Sequence, residues 1–352
     1  MLVVDDSALV RKLLGQVLGA EPDLQVEFAR NGLEALEKLT TFKPDVLTLD
    51  IHMPELDGLQ TLDRIMLERP SPVVMVSSLT EEGAEITLEA LRLGAVDFVA
   101  KPGGAVSLRM DEFAPQVVAK VRSAVQTRLP SSLRLKDRIR HRTGSVAARR
   151  SAAQPSLAAA TGEGLVLVGT STGGPPALEK LLTGLPGDFP WPVLVAQHMP
   201  ATFTGPLAKR LNGLCALEIV EVDRTMPIER GHVYIGRGDG DIVVAPRSGG
   251  LVAKPAEALE YPWHPSTDRL VRSAMACLPA GQLIGVLMTG MGDDGASAMT
   301  LLRDKGGRVI AEAEETAIVW GMPGELVKAG GADLVLPLPD IAARLRELTP
   351  CR

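Results

Sequence analysis

Short apolar runs alternate with helical patterns through most of this sequence, and this alternation restricts the fold more than any other feature. A short apolar run is typical of a buried strand, and a period near 3.6 in the following segment is typical of an amphipathic helix. Strands that alternate with helices form parallel sheets with helices on both faces. The apolar runs are LVV, VEFA, DVLTLD, SPVVMVSS and VDFVAKP, then LVLVG, VLVAQ, HVYIG, DIVVA, LIGVLMTG, GRVIAE and ADLVLP.

The alternation occurs in two separate series, which predicts two domains of the α/β class. A chain of 352 residues is too long for one ordinary core. We therefore predict two doubly wound domains, at residues 1–127 and 161–349, joined by a linker at residues 128–160.

The predicted linker differs from the rest of the chain in its charge. Residues 128–160 hold eight Arg or Lys and one Asp, a formal charge of +7, whereas the whole chain carries −6. The segment lacks aromatic residues and ends in Ala, Ser and Pro, a composition typical of a flexible connection. The alternative is a basic arm for nucleic acid. With no aromatic side chain to stack on bases and no recognisable helix-turn-helix, we expect no nucleic-acid partner.

Several features predict a cytoplasmic protein. Cys215, Cys277 and Cys351 are widely spaced and form no C-x-x-C pair, which is typical of a reducing compartment. The first residues, MLVVDDSAL, have no basic region ahead of an apolar one, so we predict no signal peptide. No apolar run approaches the roughly 18 residues needed to span a bilayer, so we expect no membrane insertion.

Polar residues that can do chemistry follow the predicted strands of the first domain. Asp5 and Asp6 follow the first strand, Asp50 ends the third, Ser77 ends the fourth and Lys101 follows the fifth. The carboxyl ends of parallel strands share one edge of the sheet, so these side chains should meet there. Gathered carboxylates need a cation, and hard oxygen ligands suit Mg²⁺. An aspartate beside Mg²⁺ can attack a phosphoryl group to give an acyl phosphate, so we predict phosphoryl chemistry at this edge.

The first domain resembles the receiver domain of two-component response regulators over its whole length, in the motifs VVDDSA, LTLDIHMPELDG, VVMVSS and FVAKP. The resemblance implies a flavodoxin-like fold in which Asp50 is the phosphoacceptor and Asp5 and Asp6 help to hold Mg²⁺. It implies a partner histidine kinase as the phosphodonor. It also assigns three residues that respond to the phosphoryl group: Ser77, Phe98 and Lys101.

Three strand ends of the second domain supply a serine, a histidine and an acid. In VLVGTSTGG, Ser171 lies between a strand and a helix start and fits the G-x-S-x-G pattern. His198 ends PVLVAQH, and Asp293 and Asp294 follow LIGVLMTGMG. A serine hydroxyl needs a base to become a nucleophile near neutral pH, and the imidazole needs a carboxylate to fix its tautomer. The order Ser, His, Asp differs from that of the α/β-hydrolases, which predicts another fold with the same geometry.

The second domain resembles the catalytic domain of the chemotaxis protein-glutamate methylesterases, in the motifs GTSTGGPPAL, AQHMPATFT, GHVYIGRGD, HPSTDRL, LMTGMGDDGASAM and GMPGELV. The resemblance implies a Rossmann-like parallel sheet, Ser171 as nucleophile, His198 as general base and then acid, and Asp294 as the orienting carboxylate. It also implies that the backbone N–H of Met291 stabilises the oxyanion. The register of the motif favours Asp294 over Asp293. We expect no metal or other cofactor in this domain.

The two resemblances imply one function. This is hydrolysis of glutamate γ-methyl esters on the cytoplasmic helices of methyl-accepting chemoreceptors, with methanol leaving, and deamidation of receptor glutamines by the same route. Phosphorylation of Asp50 is expected to relieve a restraint of the receiver on the esterase. Two alternatives stay open: a response regulator whose output is binding to nucleic acid or protein, and a general serine esterase that ignores its receiver.

Overall fold

The computed structural model describes residues 1–78, 80–101, 110–127 and 163–349. The chain divides into two compact units. The predicted linker at residues 128–160 and Cys351 lie outside the described residues. Cys215 and Cys277 are free thiols. Within the described ranges, no helix combines the length and the apolar character that crossing a bilayer would require.

Strands and helices alternate along the first unit, as the sequence predicts. Polar side chains fix where the helices begin: the Ser7 hydroxyl accepts the N–H of Val10, and the Asp57 carboxylate accepts that of Gln60, so each satisfies a free N–H of the first helical turn. The strands are β1 (Leu2–Val4), β2 (Glu27–Ala29), β3 (Leu47–Asp50), β4 (Val73–Ser77) and β5 (Asp97–Ala100). The helices are α1 (Ala8–Gly19), α2 (Gly32–Thr41), α3 (Gly58–Glu68), α4 (Glu81–Leu93) and α5 (Met110–Val125).

The first sheet has the strand order β2-β1-β3-β4-β5, and all its pairings are parallel. The predicted flavodoxin-like fold is confirmed. From β1 the chain proceeds to one side of the sheet and from β3 to the other, so the direction switches between these two strands. Ligands of open α/β sheets bind at the carboxyl ends of the strands at such a switch. Asp5, directly after β1, and Asp50, at the end of β3, lie there.

The second unit contains a larger parallel sheet and a small antiparallel one. Its strands are β6 (Leu165–Thr170), β7 (Val193–Gln197), β8 (Glu218–Val222), β9 (Met226–Pro227), β10 (His232–Gly236), β11 (Asp241–Arg247), β12 (Gly250–Ala256), β13 (Leu283–Leu287), β14 (Arg308–Glu312) and β15 (Leu334–Leu336). Its helices are α6 (Gly174–Thr183), α7 (Ala201–Leu214), α8 (Thr267–Cys277), α9 (Ala296–Asp304), α10 (Met322–Lys328) and α11 (Leu338–Leu348).

The larger sheet has the order β15-β14-β13-β6-β7-β10-β8, with parallel pairings throughout. Its central strands β6 and β13 are buried along their whole length, because helices cover both faces. The chain proceeds from β6 to β7 on one side and from β13 to β14 on the other. The switch of direction therefore lies between β6 and β13, and their carboxyl ends are the expected site of chemistry.

The apolar run DIVVA departs from the parallel pattern. It forms β11, which pairs antiparallel with β12 in a separate sheet of order β11-β12-β9. Only Ser248 and Gly249 separate the two strands, which is too short for the crossover that parallel pairing needs. Gly249 has φ of 105°, a conformation that glycine adopts without strain. β8, a half-polar edge strand, corresponds to none of the predicted apolar runs, and neither do β9 and β12.

Candidate active site

The first unit gathers three carboxylates at the carboxyl edge of its sheet. Asp5 and Asp50 are buried, and Asp6 is exposed. One oxygen from each of the three lies within 4.8 Å of the others. Burial, and then the negative charge of Asp50, raise the pKa of Asp5 above its ordinary value, although Lys101 opposes the shift. Carboxylates this close repel each other, so the cluster fits a divalent cation.

Lys101 supplies a positive charge at the same edge. Its Nζ lies 2.8 Å from Asp50 Oδ1 and 3.1 Å from Asp5 Oδ2. Burial lowers the pKa of Lys101, but the hydrogen bond to Asp50 and the charges of both aspartates outweigh it and raise the pKa above its ordinary value. Asp5 Oδ2 is buried and, despite this ion pair, makes no hydrogen bond of good geometry with any described residue. That oxygen is therefore suited to ligate a metal ion.

Two of the three predicted switch residues, Ser77 and Phe98, lie on the neighbouring strands β4 and β5. The buried hydroxyl of Ser77 donates to the carbonyl of Gly83 at 3.2 Å and accepts from the hydroxyl of Thr87 at 2.8 Å, so it is bonded to α4. Phe98 is buried, and Lys120 Nζ lies 5.0 Å from the centre of its ring. In this structure both side chains are held by their own unit.

In the second unit, Ser171 and His198 lie one residue beyond the same strand pair. The last paired residues of β6 and β7 are Thr170 and Gln197. The serine and the histidine follow directly, so both start at the carboxyl edge of the sheet. The Gln197 amide donates to the carbonyl of Ser171 at 3.1 Å and to that of His198 at 3.0 Å. The two turns are therefore tied together.

The turn after Ser171 requires glycine at two positions. Gly173 has φ of 75°, which other residues rarely adopt. A Cβ at Gly174 would lie 1.9 Å from Gln197 Oε1, so no larger residue fits there. α6 begins at Gly174, whose N–H donates to the carbonyl of Ser171 at 2.8 Å. The serine thus lies at a helix N-terminus, which favours developing negative charge.

The two ring nitrogens of His198 have different surroundings. Nε2 lies 2.8 Å from Asp294 Oδ2. Nδ1 is buried and has no hydrogen-bond partner within the described ranges. A carboxylate only accepts hydrogen bonds, so in the neutral imidazole it fixes the proton on Nε2 and leaves the Nδ1 lone pair free. Nδ1 is therefore the ring nitrogen that is free to accept a proton, whereas in the trypsin-like triad that atom is Nε2.

Asp294 is held at the N-terminus of α8. Its Oδ2 accepts the N–H of Thr267 at 2.6 Å, and its Oδ1 accepts the N–H of Asp268 at 3.0 Å and the hydroxyl of Ser266 at 3.1 Å. Burial raises the pKa of Asp294, but the hydrogen bonds from His198 and these N–H groups outweigh it and lower the pKa below its ordinary value. The carboxylate therefore stays charged and can stabilise a protonated imidazole.

The neighbouring acid, Asp293, has a different environment. Its side chain is exposed and makes no hydrogen bond with the described residues, whereas Asp294 is 8% exposed. The structure thus brings Asp294, and not Asp293, against the imidazole.

Met291 lies in a glycine-rich turn after β13. Its N–H donates to no acceptor in the described part of the chain. Gly290 packs so closely on the serine that an added Cβ would lie 2.8 Å from the Ser171 Cβ. The carbonyl of Thr289 accepts the N–H of Ser171 at 2.9 Å, which joins this turn to the serine turn. A free N–H close to the serine turn is suited to an oxyanion.

Trp263 covers one face of the His198 ring. The ring centres are 5.8 Å apart and the planes differ by 11°. Trp263 and Asp294 also line an open cavity of about 300 Å³. A larger cavity of about 500 Å³ lies along β8 and β10, but none of Ser171, His198 and Asp294 lines it. Of the three reactive side chains, Asp294 alone lines the smaller cavity, and neither Ser171 nor His198 does.

Two protein families match this chain. The family described as CheB methylesterase matches residues 166–345, which include the serine, histidine and acid described above. The response regulator receiver domain matches residues 1–110, which include the three carboxylates. The chain belongs to the CheB methylesterase family.

Similar proteins match over almost their full length. The protein-glutamate methylesterase/protein-glutamine glutaminase 2 of Rhodopseudomonas palustris is 58% identical, and the match covers 99% of this chain and 97% of that protein. Protein-glutamate methylesterase/protein-glutamine glutaminase 3 of Rhodospirillum rubrum is 52% identical, with 98% and 95% covered. The crystal structure of the Thermotoga maritima CheB methylesterase catalytic domain is 35% identical and has a TM-score of 0.52, and the match covers 54% of this chain and 100% of that one. These matches confirm the predicted family and support neither alternative function.

Two residues of the methylesterase unit were not predicted. Trp263 precedes the recognised motif HPSTDRL, and its contact with His198 depends on how its loop packs. Glu312 ends the apolar run GRVIAE, at the sheet edge where the reactive residues lie. The rule that selected the other strand-end residues applied to it as well, so its signal was present in the sequence.

Proposed function

We propose that this protein hydrolyses γ-methyl esters of glutamate on the cytoplasmic helices of methyl-accepting chemoreceptors, releases methanol, and deamidates receptor glutamines at the same site. The observation that carries the proposal is the His198–Asp294 pair at 2.8 Å, with Nδ1 of His198 unpartnered one strand away from the Ser171 turn. The names of the similar proteins supply the substrate class.

The reaction begins with attack by Ser171. Its Oγ adds to the carbonyl carbon of the ester while His198 Nδ1 takes the hydroxyl proton. The N–H of Met291 stabilises the negative charge on the former carbonyl oxygen, and Asp294 stabilises the imidazolium. The bond to the methoxy oxygen then breaks, and His198 gives its proton to the departing methanol. The product of this half is a glutamyl ester of Ser171.

Water completes the reaction. His198 Nδ1 takes a proton from the water as the water oxygen attacks the acyl carbon, and the imidazolium then returns a proton to Ser171 Oγ. The receptor side chain leaves as a glutamate carboxylate. For a glutamine substrate, ammonia takes the place of methanol in the first half and the second half is identical.

Phosphorylation of the receiver regulates this reaction in our proposal. A carboxylate oxygen of Asp50 attacks the phosphorus of the donor, and the donor's leaving group departs. Lys101, 2.8 Å from Asp50, lies close enough to contact the transferred group. Asp5, Asp6 and Asp50 would hold Mg²⁺, which when bound neutralises phosphoryl oxygens. A histidine kinase is the partner of this step.

The test of this function is methanol release from methylated chemoreceptor, with and without a small-molecule phosphodonor. We expect release by the full protein and faster release with the phosphodonor. Asp50→Asn should keep the slow basal rate and lose the whole response, because an amide cannot form the acyl phosphate. Asp45→Asn is the matched control, since Asp45 is exposed and lies two residues before β3 begins, at the end of the strand away from Asp50. A protein that releases no methanol, or an Asp50→Asn variant that still responds, contradicts the proposal.

Removal of divalent cations should abolish the response to the phosphodonor and leave the basal rate of methanol release unchanged. With a chelator present, the response to the phosphodonor should disappear, because Asp5, Asp6 and Asp50 would lose their ion. The basal rate should not change, since proton transfer between Ser171, His198 and Asp294 needs no metal. Added Mg²⁺ should restore the response. A basal rate that disappears with the chelator and returns with metal would show that the esterase itself depends on a metal.

A further inference from the structure

Glu312 is a buried acid that the proposed reaction does not use. It ends β14 and is 0% exposed. Its Oε2 accepts the N–H of Thr289 at 2.8 Å and its Oε1 accepts the hydroxyl of Thr316 at 2.9 Å, and it forms no ion pair within the described ranges. Burial raises its pKa to about 7, against the lowering effect of these two hydrogen bonds. Burying a carboxylic acid costs folding free energy unless hydrogen bonds compensate for it, so the groups that Glu312 binds indicate what it contributes.

Thr289 connects Glu312 to the reactive residues. Its carbonyl accepts the N–H of Ser171 at 2.9 Å, and its hydroxyl donates to the carbonyl of Thr172 at 2.8 Å. The same residue leads from β13 into the turn that holds Met291. Thr289 therefore contacts the serine turn and begins the turn that holds Met291. Glu312, at the end of β14, accepts the backbone N–H of Thr289.

We propose that Glu312 is a positioning residue for ester hydrolysis. By accepting the Thr289 N–H, it fixes the turn that carries the Met291 N–H relative to Ser171, and it does not itself touch the substrate. The inference rests on the proposed function. An oxyanion donor acts only if it is aimed beforehand at the developing charge, and displacement of reacting groups by about 1 Å can cost roughly 100-fold in rate.

Two substitutions of Glu312 separate the acceptor oxygen from the rest of the side chain. Glu312→Leu has a similar volume but no acceptor, so the buried Thr289 N–H is left unpaired. We expect kcat for methanol release to fall about 5- to 150-fold, with KM within about threefold of wild type, because the lost bond acts on transition-state stabilisation. Glu312→Gln keeps an oxygen for Thr289 and should keep kcat within about threefold.

Thr316→Val is the matched control. It removes the hydroxyl that bonds Glu312 Oε1 and also accepts the N–H of Leu338 at 3.0 Å, but it leaves the bond to Thr289 in place. We expect a lower melting temperature with little change in kcat. All variants are measured as the full chain, with methylated receptor and phosphodonor, and melting curves establish that each is folded.

Three results of these measurements would contradict the positioning role of Glu312. A folded Glu312→Leu with wild-type kcat, a Glu312→Gln that is as slow as the Leu variant, or a Thr316→Val that loses as much kcat as Glu312→Leu each overturns the proposal. If Glu312→Leu does not fold, Glu312→Asp replaces it, since its shorter side chain withdraws the acceptor while keeping the charge, and unchanged kcat in that variant has the same meaning. If wild type releases no methanol, the proposed function fails instead.

Discussion

Ser171→Ala is expected to fold normally and to lose about 10⁴-fold or more in kcat for methanol release. The Oγ of Ser171 makes no hydrogen bond with the described residues, so its removal costs the fold little. The Met291 N–H and the substrate contacts remain, and they sustain a small residual rate. The covalent route is lost because the hydroxyl that attacks the ester carbonyl is gone. The measurement is methanol release under single-turnover and steady-state conditions.

The control for this substitution is Ser248→Ala. It makes the same chemical change at an exposed residue of the β11–β12 turn and should leave kcat within about twofold of wild type. His198→Ala should lose about as much as Ser171→Ala, because nucleophile and base act as a unit. Near-normal hydrolysis by a folded Ser171→Ala protein is incompatible with the mechanism proposed here.

Much of the candidate site could be predicted from one rule. Parallel strands end at the same sheet edge, so a polar residue directly after an apolar run lies near every other such residue. That rule selects Asp5 and Asp50 in the first unit and Ser171 and His198 in the second. The observed register is consistent with it, since Thr170 and Gln197 are paired and the reactive residues follow them. The fold class follows from the same alternation of strands and helices.

The rule fails where a residue lies several positions beyond its strand. Asp293 and Asp294 stand six and seven residues after the end of β13, so this rule does not say which one turns inward, and the preference for Asp294 came only from the resemblance to the methylesterases. The choice depends on three donors that come from a different segment, the N-terminus of α8. These contacts form only when the second unit is assembled.

The orientation of the His198 ring could not be predicted either. Its Nε2 faces Asp294 because that carboxylate is fixed at α8, and Trp263 fixes the plane of the ring by stacking on it. Both contacts join His198 to residues that are distant in sequence, so they depend on tertiary packing. The antiparallel pairing of β11 depends instead on a local feature, its very short turn to β12, and the Ser-Gly-Gly sequence is a signal for such a turn.

Asp294→Asn is expected to reduce kcat by about 10³- to 10⁴-fold, less than the loss of the serine. Asp294 accepts hydrogen bonds on both oxygens, and an asparagine offers one oxygen and one NH₂. If the oxygen stays with Ser266 and Asp268, the NH₂ faces His198 Nε2. It then favours the tautomer with the proton on Nδ1, which can no longer take the proton of Ser171. The fold should lose stability too, because the Thr267 N–H is left opposite a donor.

The control that makes this prediction sharp is the adjacent Asp293→Asn. Both variants remove one negative charge at almost the same place, so any effect of the net charge on a receptor helix is common to them. Only Asp294 contacts the imidazole, so kcat for Asp293→Asn should stay within about twofold of wild type. Melting curves separate lost stability from lost catalysis, since the rate is measured on protein that is folded. If Asp293→Asn is instead the damaging change, the carboxylate that orients His198 in the working enzyme is not Asp294.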